Sequence, residues 1–281
     1  MKHIVCFSKG NQSAWVAVEV VRKFGPENVI LLNHDINPDK ELPDVKRFGL
    51  ELATYLGIQI TYANMPGWDS KSQFDVCIDK KAFKVNDGTP FCTTKLKTEP
   101  YYKWLGEEFP VKKGTCRQDV TIYYGFHAGE PDRINRRREF LAKMGYRTCF
   151  PLVEWERTIY STLEIGVKPS DTYDIWSHAN CIGCLRAGWQ HWYVVYCRYP
   201  LIWEEAKRAE EIIGYSILRR DNIPVFLKER EKEFEQMKLA GIRADELTPS
   251  GRFWSIARNV LAGKLDVNKV EWVPPCQLKL F

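Results

Sequence analysis

The chain has 281 residues, of which 44% are hydrophobic and 27% charged, with a formal net charge of +5. That length can bury a sizeable core in one large domain, or in one domain with an extension, and the composition excludes a disordered or fibrous chain. No apolar run reaches the roughly 18 to 20 residues of a membrane span and no secretory signal opens the chain, so the expectation is a cytoplasmic protein with no membrane partner.

Residues 2–7 read as a first strand. A loop of small and polar residues follows, Ser8-Lys9-Gly10-Asn11-Gln12-Ser13, and a helix over 13–24 carries Trp15, Val18, Val21 and Phe24 on one face. Such a turn aims several backbone N–H groups at one point, and the helix dipole adds partial positive charge there. An anion, most often a nucleotide phosphate, fits that point. Gly10 allows close backbone approach or a positive φ. An ordinary strand-to-helix turn gives the same local pattern.

Residues 29–33 read as strand two, 41–56 as an amphipathic helix and 58–62 as strand three. Asp35, just past strand two, is placed to accept from a ribose or adenine, or to cap a turn. Residues 64–92 read as loop-rich. Cys92 precedes a helix over 94–106 whose start carries Lys95 and Lys97. A helix N-terminus favours thiolate, and the two lysines can neutralise phosphate or sulfate. Strand 120–125 ends at Gly125, and a basic helix begins near 132 with Arg133, Arg136, Arg137 and Arg138. Gly125 permits close backbone contact, and Arg133 and Arg137 offer anion grips, although a solvated helix face explains the outer arginines equally.

The alternation of strands and helices implies an α/β fold: a parallel sheet with helices on both faces and a ligand beyond the C-terminal strand edges. From about residue 200 the pattern turns helical, over 201–214, 224–240 and 252–262. The expected division is a nucleotide-binding α/β domain over 1–200 and a helical C-terminal extension over 201–281.

Nine cysteines without a secretory signal argue against a disulfide framework and for metal or thiol chemistry. Cys181-Ile182-Gly183-Cys184 presents two sulfurs from one turn. Its readings are a metal or cluster site, a dithiol redox pair, or two structural cysteines. With no second C-x-x-C, a cluster needs thiolates from elsewhere. Cys92 and Cys276 are the candidates, with Cys197 a weaker one. Cys6 and Cys149 read as core residues, and Cys77 and Cys116 have no readable partner.

Taken together, these segments resemble the phosphoadenosine phosphosulfate (PAPS) reductase-like family of the adenine nucleotide α-hydrolase superfamily. The resemblance spans about residues 2–205. Ser8–Ser13 is similar to the PP-loop of the N-type ATP pyrophosphatases, with Lys9 and Gln12 where the pattern has Gly and Asp. Asp35 takes the place of the strand-two Asp. Cys92-Thr93-Thr94-Lys95-Leu96-Lys97 with Pro100 is similar to Cys-Thr-x-x-x-Lys-x-x-Pro, Tyr124–Glu130 to Gly-Ile-Arg-x-x-Glu, Phe150–Trp155 to Pro-Leu-x-x-Trp, and Cys181–Cys184 to the family's C-x-x-C.

The resemblance implies ATP, or PAPS or its unphosphorylated counterpart APS, in the loop, with Mg²⁺ beside the phosphates. It also implies a [4Fe–4S] cluster on Cys92, Cys181, Cys184 and Cys276, with zinc as the alternative. The implied activity is sulfonucleotide reduction or ATP-dependent activation for sulfur transfer, with Lys95 and Lys97 as catalytic cations. Cys276 either closes the cluster or attacks sulfur. The implied partners are a thioredoxin-type reductant or a cysteine desulfurase, nucleic acid, and a second copy in a homodimer. The competing reading is a catalytically degenerate nucleotide- or nucleic-acid-binding accessory protein of a mobile-element or defence system.

Overall fold

A computed structural model describes residues 1–85 and 88–274. Five parallel strands form its sheet: β1 (Lys2–Cys6), β2 (Val29–Asn33), β3 (Ile60–Tyr62), β4 (Val120–Tyr123) and β5 (Arg147–Cys149), in the spatial order β3-β2-β1-β4-β5. Val5 stands opposite Leu31 on one side and Tyr123 on the other. The chain runs outward from β1 through β2 to β3, then crosses back to β4 and β5. The switch point therefore lies between β1 and β4, where open α/β sheets hold their ligands.

Helices cover both faces. Successive strand residues point opposite ways, so Val5 and Leu31 pack under α1 (Asn11–Phe24) and α2 (Pro43–Leu56), against Val16, Phe48 and Leu52. Ile4, Leu32 and Ile122 face the other way and meet Tyr101 and Leu105 from α5 (Glu99–Glu108) and Leu141 from α6 (Pro131–Lys143). The residues of β4 are all buried, as a central parallel strand demands.

Between β3 and β4 the chain forms α3 (Gln73–Lys80), a short helix α4 (Phe91–Thr93), a π-helical turn (Thr94–Thr98) and then α5. The segment read as loop-rich thus contains a helix. Ser72 caps α3 in a reciprocal capping box with Asp75. After β5 come α7 (Pro151–Glu154), α8 (Trp189–Arg198) and α9 (Pro200–Ile213). A hairpin of β6 (Leu218–Arg220) and β7 (Ile223–Val225) is followed by α10 (Leu227–Leu239) and α11 (Ser250–Leu261). The expected helix over 224–240 starts three residues late because Pro224 belongs to β7, paired with Arg219.

A third core cluster joins Phe74 and Cys77 of α3 to Ile182, Trp192, Trp203, Phe234 and Phe253. The helices after residue 200 therefore share a core with α3 and α8. Among the described residues no helix is long and apolar enough to cross a membrane.

Candidate functional site

The loop after β1 sits on the switch point. Gly10 precedes α1 with φ −98°, an extended conformation, so the positive φ expected at Gly10 falls on its neighbour: Lys9 has φ 59°. That is the left-handed region which favours glycine. Lys9 is 2% exposed, and its ammonium lies 3.0 Å from Asp35 and 2.8 Å from Glu41. Burial disfavours the charge, but Glu41 and then Asp35 outweigh it and hold the ammonium above the ordinary lysine range. The stem of Lys9 lies over Gly49 of α2, where a Cβ would come within 2.8 Å of its Cγ. Asp35 also meets Lys46 at 3.2 Å and accepts from the N–H of Ile36. The lysine and the aspartate thus neutralise each other at the edge of the site.

At the start of α1 the Ser13 hydroxyl donates to the carbonyl of Gly10 (2.9 Å) and accepts from the N–H of Ser8 (3.2 Å). The side chain of Gln12 is exposed. No side chain caps the helix from its own N-cap, and its first turn carries no acidic residue. The N–H of Asn11 donates instead to the hydroxyl of Tyr173, at 3.0 Å, and a Cβ on Gly10 would lie 3.2 Å from that hydroxyl. Gly125, past β4, is packed on the same turn. A Cβ there would meet backbone atoms of Gln12 and Ser13 at 2.8 Å. Its glycine serves this close approach of two loops.

Three buried polar atoms on the C-terminal strand edge have no partner among the described residues: Asn11 Oδ1, Asn33 Oδ1 and His34 Nε2. Burial first, and then the charge of Lys97, push His34 down to about 4, so its ring is neutral. Buried polar groups without partners are rare in folded proteins, and each calls for an explanation such as a ligand.

The cations divide into paired and unpaired. Lys95 pairs with Glu99, and Arg133 pairs with Glu130 at 2.6 Å while lying 4.0 Å over the Phe126 ring. Lys97 and Arg137 have no carboxylate partner among the described residues. Arg137 donates to the Tyr102 hydroxyl at 3.0 Å and lies 5.2 Å over the Tyr124 ring. Lys97, on the π-helical turn, acts electrostatically on His34, Cys92, Cys181 and Cys184.

The C-x-x-C turn is pinned to the same edge. The N–H of Ile182 donates to the carbonyl of Lys40 at 2.8 Å, and Ala179 flanks Gly10. The thiols of Cys181 and Cys184 are hydrogen-bonded to each other. That bond, with lesser help from the N–H of Arg186, His191 and Lys97, holds Cys184 well below the ordinary thiol range, whereas Cys181 is pushed up. The N–H of Cys184 donates to His191 Nε2 at 3.2 Å, and His191 Nδ1 lies 3.3 Å from Glu246. Cys92 packs against the core cluster that holds Cys77 and feels the charge of Cys184. Cys197 bonds instead with Tyr193 in the helical layer. Cys276 lies outside the described residues. Every cysteine among the described residues is a free thiol, and no three His, Cys, Asp or Glu side chains among them stand at the spacing of one ion's ligands.

Sequence reasoning missed Tyr173 and Cys77. Neither lies near a recognisable motif, and both reach the site through tertiary packing. Compared with models of known families, with curated proteins and with solved structures, the chain matches none.

Proposed function

We propose that this chain is an adenine-nucleotide-dependent enzyme of sulfur metabolism, of the PAPS reductase-like kind. One observation carries the reading. At a single strand edge, on the β1/β4 switch point, stand an anion-ready helix start and, among the described residues, three unpartnered buried polar atoms and two cations without carboxylates, beside a set of thiols. Phosphates would lie at the start of α1, on the Ser8–Ser13 loop that Gly125 packs against. The neutral ring of His34 and the side chains of Asn11 and Asn33 would bond the nucleoside end. Lys97 and Arg137 would balance the charge of the group being transferred.

With ATP and Mg²⁺, an acceptor oxygen would attack the α-phosphorus and pyrophosphate would leave with the bonding electrons, ready for sulfur transfer. With PAPS or APS, a thiolate would attack sulfur, the sulfur–oxygen bond to phosphate would break, and the nucleoside phosphate would leave with those electrons. A thioredoxin-type dithiol would then release sulfite and take up the oxidation as its own disulfide. Cys276 is the thiol proposed for that attack if it is not a cluster ligand. A [4Fe–4S] cluster, when bound, would supply redox capacity beside the anionic end of the ligand. The donor set suits it, since Cys92, Cys181 and Cys184 gather around the charge of Lys97. Each thiolate of such a cluster binds a different iron, so its ligands surround a cube and need not meet at one point. Zinc is the rival occupant.

A second reading, a nucleotide-binding accessory module without catalysis in a mobile-element or defence assembly, is favoured by one feature. The Lys9 ion pairs and the Tyr173 hydroxyl fill part of the phosphate loop. Anaerobically prepared protein should bind ATP or PAPS by calorimetry and release pyrophosphate from the first, or sulfite from the second with thioredoxin. Binding with neither release favours the module. No binding of ATP, PAPS or AMP at millimolar ligand by the folded protein removes both.

A further inference from the structure

Cys77 has no place in any motif, yet the fold sets it against the candidate cluster residues. Gln73 opens α3, and its amide donates to the carbonyls of Ile182 (2.8 Å) and Gly183 (3.3 Å), inside the C-x-x-C turn. Phe74 reinforces that docking, since a Cβ on Gly183 would meet its ring at 3.1 Å. Cys77 follows Gln73 by four residues, so it lies one turn along the same helix face. The chain then folds back. The N–H of Phe91 donates to the carbonyl of Phe83 at 3.0 Å, and Lys84 bridges to Pro90. This return packs Cys92 against the core cluster that holds Cys77, whose thiol donates to the Phe83 carbonyl at 3.8 Å. Cys92 in turn feels Cys184, and Cys181 feels Cys92. Cys77 is fully buried, in one core cluster with Ile182 and Leu185 of the C-x-x-C turn and its flank. Two thiols thus come from the C-x-x-C turn and two from the α3–α4 return docked on it, with Cys77 buried and the other three half-buried.

We propose that Cys77 is the fourth thiolate of a [4Fe–4S] centre completed by Cys92, Cys181 and Cys184, which leaves Cys276 free of the metal. The proposal rests on the cluster reading above and changes what Cys276 does. Cys77, Cys92, Cys181 and Cys184 already number four, so the tail is not needed to close the site. A free Cys276 is available as the attacking thiol. Fixing Cys77 to iron also ties α3, and through it α9, to the nucleotide edge of the sheet.

The test is metal stoichiometry on the full chain, purified anaerobically and reconstituted with iron and sulfide. Wild type should hold about four irons and about four sulfides per chain, with broad visible absorption. Cys77→Ser and Cys77→Ala should each lose iron and sulfide several-fold, as should Cys92→Ser. Cys276→Ser and Cys197→Ser should retain wild-type content. Circular dichroism and ATP calorimetry on the same samples report whether the Cys77 variants are folded. Wild-type iron in folded Cys77→Ala with loss in Cys276→Ser overturns the assignment and leaves the cluster reading standing. No iron in reconstituted wild type overturns both, as does one zinc per chain in its place. A Cys77–Cys92 disulfide found by thiol mapping in iron-loaded protein overturns the ligand role of Cys77 alone.

Discussion

Lys9 occupies a left-handed backbone position and is held there by its own ammonium, between Asp35 and Glu41. A non-glycine residue in that region costs on the order of 1–3 kcal/mol and persists only where its surroundings over-determine it. The two carboxylates provide that determination. Removing the ammonium strands them at 14% and 10% exposure, with Lys46 the one other cation paired to either among the described residues. Lys9→Met should therefore lose about 3 kcal/mol or more of stability by urea denaturation. Lys9→Gly should be less damaging because it also relieves the backbone. Equal losses in the two variants would show that the backbone carries no strain. Gly125 makes the opposite kind of demand. A methyl there meets main-chain atoms of Gln12 and Ser13, which cannot swing aside. Gly125→Ala should cost about 1–3 kcal/mol by overpacking, and should weaken ATP binding about tenfold or more by moving the phosphate loop. Unchanged calorimetric affinity in that variant would separate Gly125 from the ligand.

The N-terminus of α1 is the element on which the site turns, and Tyr173 now satisfies one of its free N–H groups. A phosphate bound there must compete with that hydroxyl. Tyr173→Phe keeps the ring and deletes the oxygen. Stability without ligand should drop by about 1 kcal/mol, the usual worth of a helix N-cap, while ATP affinity should rise. Weaker ATP binding in Tyr173→Phe would make the hydroxyl a ligand contact. Strands β1 and β2 were legible because Ile4-Val5 and Val29–Leu32 are continuous apolar runs that only a two-faced buried strand explains, whereas the three-residue β5 was not read as a strand. Helix α3 was hidden by its eight residues, although Ser72 and Asp75 form a capping box at legible spacing. The hairpin was hidden too, yet Asp221 and Asn222 both have positive φ, the conformation that a two-residue turn requires and those residue types tolerate. The Ser8–Ser13 loop and the C-x-x-C were legible as local patterns. Tyr173 and Glu41 were not, because each meets the loop only after long stretches of chain have packed.

Across the whole molecule two buried groups make opposite demands on pH, one at the sheet edge and one in the helical layer. His34 is lowered to about 4, first by burial and then by Lys97, from an ordinary value of 6.5. The unfolded chain binds its proton first as pH falls, so stability is present above that window and is lost between about 6.5 and 4. Glu210, 1% exposed in α9, is raised to about 7 from 4.5 because burial outweighs the hydrogen bonds it accepts from the N–H groups of Ile217 and Leu227. The folded chain binds that proton more tightly, so this contribution is present at low pH and is lost as pH rises from about 4.5 through 7. The two slopes oppose each other, and the wild-type urea midpoint should vary less between pH 4.5 and 6.5 than either group alone would make it. Substitution separates them. Glu210→Gln is uncharged throughout, so its deficit relative to wild type should shrink with rising pH, by about 3 kcal/mol across that window at 1.36 kcal/mol per pH unit. His34→Gln should do the reverse and gain on wild type as pH falls below 6.5. Urea titrations of both variants from pH 4 to 8 settle the matter. Difference curves that are flat, or that run in the same direction, would mean that Glu210 and His34 titrate alike in the folded and unfolded chain.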